Sequence, residues 1–187
     1  IAEAASVRSV PSVIRAMNEL PDLPTTRRAL GFRNEGMFFE AEVLFQQLAQ
    51  ADPAYPLAVY EYGCFKLLTG DYEEAWPLFQ HRLEDEVFKS KATMKMPQPF
   101  WDGRPAPDKT LLVHIEQGIG DAILCARYIP AAADLVGDLI FAVHNRHGRF
   151  FSSVDSRIRM VEMGDPMPEF DIHIDVFSLP VFFGAAP

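Results

Sequence analysis

The densest chemical information in the chain lies in six consecutive residues, Glu116-Gln117-Gly118-Ile119-Gly120-Asp121. They follow the apolar run Leu111-Leu112-Val113-His114-Ile115 and open a stretch, Asp121 to Leu135, that reads as helix. Proteins with parallel sheets bind ligands at such strand-to-helix turns, because the carboxyl ends of the strands open into a crevice. Gly118 and Gly120 permit a tight turn and a close approach of ligand to main chain, which makes them substrate-binding candidates. A dinucleotide fingerprint needs a third glycine at position 123, where Ile123 stands, and a phosphate-binding Walker loop needs a Gly-Lys-Ser/Thr that does not follow. Asp121 has two readings. A carboxylate at a helix start caps the helix and complements its dipole; displayed at the rim of a cleft, it serves as a catalytic base. One residue can do both.

Glu116 and Gln117 either orient Asp121 and line the cleft or are turn residues bonded to the main chain. Arg127, one and a half turns into the helix, either faces an anionic ligand or sits in an ion pair. His173, in the strand candidate Phe170 to Val176, is a substrate contact or a satisfied histidine of core or rim. His144 and His147 flank Asn145-Arg146 after a strand and match no metal-ligand plan, so no metal is expected. Cys64 and Cys125 each lie alone within a helical stretch and read as small buried hydrophobes in a reducing cytoplasm.

The elements that position these residues differ between the two halves. In residues 109–187, apolar runs at Leu111–Ile115, Leu139–Val143, Ile158–Glu162 and Phe170–Val176 are separated by helical or polar stretches, among them a helix or turn around Arg146 to Val154. Continuous rather than alternating apolar strands mark a parallel sheet covered on both faces. Residues 22–89 instead repeat at an offset of 34: Gly36 maps to Gly70, Phe38 to Tyr72, Glu40 to Glu74, Ala41 to Ala75 and Phe45 to Phe79. The glycines turn the chain between paired helices, the alanines let the helices approach, and the aromatics fill the gap one turn later. Asp52-Pro53 breaks the first pair, and the last helix is expected to run from Tyr72 to about Glu86. Tyr60, Glu61 and Lys66, on the first helix of the second pair, are the protein-binding candidates. Residues 1–21 read as a flanking helix, and 90–108 as a proline-rich linker with Phe100 and Trp101 as anchors.

Composition bounds what this organisation can do. The chain has 187 residues, 49% hydrophobic, with 26 acidic against 17 basic side chains and a net charge of −9. Enough apolar content for a core excludes wholesale disorder, and the acidity argues against a surface built for nucleic acid or an anionic membrane. Residues 22–89 hold twelve acids and six bases, so most of the charge lies on the helical repeats, as a solvated face or an acidic docking surface. No window approaches a membrane-spanning length of apolar residues, and the start lacks the plan of a secretion signal.

The repeat positions are similar to the tetratricopeptide pattern. Behind them, Trp101-Asp102-Gly103, the run from Leu111 to Asp121, Ala126-Arg127-Tyr128-Ile129-Pro130, Phe170-Asp171-Ile172-His173, Ser178-Leu179-Pro180 and Phe183-Gly184 resemble, in order, the glycosyltransferase module of bacterial tetratricopeptide proteins. That family includes flagellin-modifying enzymes and is related more distantly to heptosyltransferases and O-linked N-acetylglucosamine transferases. The resemblance covers residues 22–187. It implies a GT-B enzyme of two Rossmann-like domains, with Asp121 as the base that deprotonates an acceptor hydroxyl. It further implies transfer from a sugar nucleotide with inversion and without metal, and a protein acceptor such as flagellin. The fold expected of this chain is therefore α plus α/β, tetratricopeptide-type repeats followed by a partial Rossmann-like domain. Two such domains need roughly 300 residues, so a fragment without the donor-binding half, inactive alone, is expected. The runner-up is a non-catalytic interaction module built on the repeats. Two repeats are fewer than the three or so of a free-standing array, so the flanking helix, the linker aromatics, the α/β half or a second chain is expected to cover their ends.

Overall fold

The computed structural model describes residues 23–51, 56–85, 96–115, 118–144, 147–162 and 164–184. The flanking helix expected at 1–21 lies outside them. The chain divides into two compact units, Ile1–Lys91 and Ala92–Pro187.

Among the described residues the first unit holds four helices, α1 (Leu23–Asn34), α2 (Phe38–Ala51), α3 (Pro56–Thr69) and α4 (Tyr72–Phe79), and a 3-10 turn at Gln80–Leu83. The 34-residue offset is a structural repeat. Gly36 and Gly70 take φ of 77° and 87°, a backbone region that side chains with a Cβ disfavour. Each closes its helix with the same pair of hydrogen bonds. Gly36 N–H donates to Arg33 O and Met37 N–H to Phe32 O; 34 residues later Gly70 N–H donates to Leu67 O and Asp71 N–H to Lys66 O. This is the Schellman ending, which satisfies carbonyls that a helix terminus leaves orphaned. Ala41 and Phe45 are fully buried, as are Ala75 and, at 6% exposure, Phe79. Phe45 of α2 meets Phe65 and Tyr62 of α3 at ring separations of 5.4 and 6.1 Å, so successive helix pairs share one core.

The last helix is shorter than the sequence suggests. Pro77 lies inside α4, where it removes a main-chain donor and crowds the preceding turn, and the chain tightens into the 3-10 turn after Phe79. Arg82, which stands where the repeat pattern has a small residue, is fully buried. Its guanidinium lies 4.7 Å from the centre of the Phe79 ring and donates to Phe79 O at 3.3 Å.

Lys66 ties three elements together. Its stem is buried, and Nζ lies 2.7 Å from Glu42 of α2, 2.8 Å from Glu74 of α4 and 3.2 Å from Asp71 of the intervening turn. Burial opposes the charge, but hydrogen bonds to Glu42, Glu74 and Asp71 outweigh it and hold the Lys66 pKa above its ordinary value. The same bond to Lys66 draws the Asp71 carboxyl below its usual 3.8. A depressed carboxylate contributes stability that is present above its unfolded pKa and fades as the pH falls through its folded one. Lys66→Met is therefore expected to lower the melting temperature by a few degrees at pH 7. It should also flatten the loss of stability below about pH 4, read by thermal melts across pH. A wild-type acid limb in the variant would remove this account.

The second unit is built on a four-stranded sheet of β1 (Ala106–His114), β2 (Val136–Val143), β3 (Ile158–Glu162) and β4 (Ile172–Asp175). All its pairings are parallel and the order is β3-β2-β1-β4. Helices α5 (Ile119–Ala126) and α6 (Ile129–Ala133) join β1 to β2, α7 (Gly148–Phe151) joins β2 to β3, and α8 (Pro180–Phe183) follows a 3-10 turn at Val176–Ser178. Leu112, Ile140, Ala142 and Val161 form the core on one face, with Met96 and Phe170 against it. On the other face Phe141 meets Phe151 of α7 at 5.1 Å.

Two local expectations shift here. A single helix was expected from Asp121 to Leu135, but Tyr128 interrupts it and α6 restarts with Pro130 near its first position, where a missing N–H costs nothing. The 90–108 stretch is not all linker: β1 starts at Ala106, and Pro99–Trp101 run along the free edge of β4. There His173 N–H donates to Pro99 O at 3.1 Å and Trp101 N–H to His173 O at 2.8 Å.

Candidate functional site

In the order β3-β2-β1-β4 the chain moves outward from β1 through β2 to β3, then returns to the opposite side of β1. The point between β1 and β4 is a topological switch, and ligands of such sheets bind just beyond the carboxyl ends of the strands there. β1 ends at His114 and β4 at Asp175, and these two residues stand opposite each other in register. The 3-10 turn after β4 packs against α5, which begins with the Gly118-Ile119-Gly120-Asp121 sequence. The turn singled out in the sequence therefore lies at the position that the topology marks.

Gly118 is the cap of α5, extended at φ −71° and ψ 160°, and its carbonyl accepts from Ala122 N–H. A Cβ added at Gly120 would meet nothing within 4 Å, so no packing within the chain requires a glycine and the space in front of it is open. Asp121 falls in the first turn of α5 rather than at the cap, because the helix starts two residues earlier than its sequence reading. Glu116 and Gln117 lie outside the described residues. Arg127 is exposed and turns back on its own helix, donating from Nε to Leu124 O at 3.0 Å with its guanidinium 5.5 Å from the Tyr128 ring centre.

His173 is held from several sides. Its Nδ1 lies 3.3 Å from His114 Nε2, and Phe100 packs edge-on against its ring at 5.5 Å. Burial lowers its pKa against the opposing pull of Asp175 and Gln98. Asp175 is itself 1% exposed and accepts from the Ser178 hydroxyl at 2.6 Å. Asp175 carries no motif in the sequence, and His114 and Ser178, although they lie within the stretches that carry the resemblance, do not stand out there as site residues. The pairing of β1 with β4, residues far apart in the chain, is what brings them to His173.

The protein-binding candidates are engaged within the helical unit. Tyr60 packs on Phe79 at 5.1 Å, and burial raises its pKa. Glu61 pairs with Arg33 at 3.3 Å; burial raises its pKa while Arg33 opposes. Lys66 holds the three carboxylates described above. Burial and the Glu61 charge push the Cys64 thiol up to about 12, which keeps it protonated and unreactive.

An open groove of about 600 Å³ lies beside Thr110 and the 167–171 stretch, on the amino-terminal side of the sheet. It is away from the switch point, and its polar lining is satisfied in part by Asp171 accepting from Thr110 N–H at 2.9 Å. Among the described residues no group of three or more His, Cys, Asp or Glu side chains gathers as a metal site, and no helix is long and apolar enough to cross a membrane. No protein-family model matches the chain, and neither do any curated protein or solved structure.

Proposed function

We propose that this chain is the acceptor-recognising portion of an inverting, metal-independent glycosyltransferase that moves a sugar from a sugar nucleotide to a hydroxyl on a protein in the cytoplasm. One observation carries the reading: the switch point of a parallel sheet opens on Gly118-Ile119-Gly120-Asp121, in a chain whose other unit is a helical repeat of period 34. Helical repeats of this kind present extended surfaces to proteins, and the switch point is where a small reacting group is held. In this reading Asp121 takes the proton of the acceptor hydroxyl as its oxygen attacks the anomeric carbon. The nucleotide leaves from the opposite face, so a single displacement inverts the configuration. The carboxylate then carries the proton, and a second, donor-binding domain holds the leaving phosphate.

The test is transfer of labelled sugar to acceptor protein by the chain joined to a donor-binding domain. Asp121→Asn is expected to reduce the rate by at least about 100-fold, the range for loss of a general base, with the melting temperature nearly unchanged. An unchanged rate removes Asp121 from the mechanism. The alternative is a non-catalytic interaction module. The exposed apolar group Met37, Phe38 and Phe39 at the start of α2 favours it, and it predicts acceptor binding that Asp121→Asn leaves intact with no transfer at any step.

A further inference from the structure

We propose that the exposed turn from α1 into α2 is a docking site for a protein segment that sets lysine or arginine beside apolar side chains. The inference does not rest on sugar transfer. Its test reads binding alone, so its failure and the failure of Asp121 as a base are separate results.

The first observation is where large apolar side chains lie open. Phe39 is 77% exposed, the most of any large hydrophobic residue among those described, and Met37, Phe38 and Val43 beside it are 38%, 45% and 37% exposed. Positions 39 and 43 are one helical turn apart on α2, so they share a face. Single exposed apolar residues need no explanation, but a group of them on one turn marks a place where another molecule is held. Met and Phe are among the side chains that such contacts favour.

The repeat supplies the comparison. Thirty-four residues later the positions of Met37, Phe39 and Val43 hold Asp71, Glu73 and Pro77, and the helix pair closes with the same hydrogen bonds. Glu73 is exposed, as Phe39 is. The fold thus takes polar side chains at these turn positions, and nothing in the helix pair requires apolar ones. The surface is also fixed in place. The Schellman ending holds the main chain at Gly36 and Met37, Ala41 N–H donates to Met37 O at 3.0 Å, and the Phe38 ring packs edge-on to Phe65 at 6.1 Å. A partner therefore meets a preformed surface with little left to order.

Charge sets the partner's chemistry. Glu35 and Glu40 flank the apolar group, both are exposed, and among the described residues neither enters an ion pair. The adjacent base, Arg33, is taken up by Glu61 at 3.3 Å and Asn34 at 3.4 Å. Glu40, in the first turn of α2, complements that helix's dipole, but Glu35 follows the end of α1, where a carboxylate is disfavoured. Its counterpart 34 residues on is the neutral Thr69, so the turn itself does not need the charge. Two carboxylates around protruding phenylalanines fit a segment whose basic heads reach past its own apolar side chains. A second copy of this acidic chain would instead bring like charges together across the patch.

The test is fluorescence anisotropy of a labelled peptide, three repeats of Leu-Lys-Lys-Leu with blocked ends, titrated with the 187-residue chain. Saturable binding in the micromolar range is expected, weaker at high salt, and the same peptide with glutamate for lysine should not bind. Phe39→Ser is expected to weaken binding at least about tenfold while its melting temperature stays that of wild type. The double variant Glu35→Gln/Glu40→Gln should weaken it at least about threefold and lose most of the salt dependence. Glu73→Gln, at the matching place of the second pair, should bind as wild type. No binding by the wild type, binding of the glutamate peptide, undiminished binding by Phe39→Ser or by the double variant, or an equal loss in Glu73→Gln would each overturn the proposal. So would a Phe39→Ser melt several degrees lower, which assigns the patch to residues of this chain. A dimer in sedimentation velocity that Phe39→Ser dissolves would overturn it too, by assigning the patch to a second copy.

Discussion

In a Gly63→Ala variant the helical unit is expected to lose about 2–3 kcal/mol of stability, although alanine is the better helix former. A Cβ at Gly63 would lie 2.6 Å from Phe79 N, 3.0 Å from Leu78 C and 3.1 Å from Ala75 O. All three are main-chain atoms of α4, so no side chain can swing aside and α4 itself must retreat. Retreat unseats Ala75 and Phe79 and loosens the Phe79 ring from Tyr60 and Arg82. The gain in helix propensity, at most about 1 kcal/mol, does not offset this. Gly31→Ala is the control, because nothing lies within 4 Å of its added methyl. It should stabilise α1 by roughly 0.5–1 kcal/mol. Urea unfolding followed by circular dichroism separates the two, and equal midpoints would show that the α3–α4 distance is not the limit described here.

The position 34 residues before Gly63 is Ala29, fully buried between α1 and its neighbours. One methyl group fits in the first helix pair and none in the second, so the two repeats are not copies in detail. The sequence carries the repeat because its marks are local: a glycine with positive φ, a small residue five positions later and an aromatic four beyond that. Gly63 carries no such mark, since its requirement comes from the main chain of a different helix. Arg82 was legible only as a departure from the pattern. Its burial depends on the Phe79 ring and carbonyl, which become available where Pro77 tightens the end of α4.

The sheet was legible for the same kind of reason. Leu139 to Val143 and Ile158 to Glu162 are apolar runs bounded by polar turns, and both are strands that end at those residues. What the sequence hid is polar or distant in the chain. Ala106-Pro107-Asp108 reads as the end of the linker yet opens β1, whose exposed first half meets β2 only at Ala106 and Thr110 across an irregular stretch, a pairing that needs main-chain groups and not apolar side chains. Asp121 was assigned to a helix start two residues late, since Gly118, a poor helix former, supplies the cap. His173 was named but its neighbours were not, as only the strand order places His114 and Asp175 beside it.

Trp101→Ala is expected to cost the sheet unit about 3–5 kcal/mol, the range for truncating a buried tryptophan. Trp101 is 2% exposed, and its ring centre lies 5.9 Å from that of Phe182 and 6.2 Å from that of Phe183. Its Nε1–H donates to Arg104 O at 2.9 Å, a carbonyl that truncation leaves without this donor. The main-chain bond from Trp101 to His173 survives the substitution in principle, but the ring is what presses the 99–101 segment onto the edge of β4. Phe100 is the internal comparison: at 43% exposure it buries far less, and Phe100→Ala should cost only about 1 kcal/mol. Differential scanning calorimetry reads both costs, and hydrogen exchange at the His173 and Trp101 amides reads the edge directly. In Trp101→Ala both amides should exchange faster than in Phe100→Ala. If the two variants melt together, the anchor is the main-chain pairing alone, and the aromatic pair that stands out in the sequence only accompanies it.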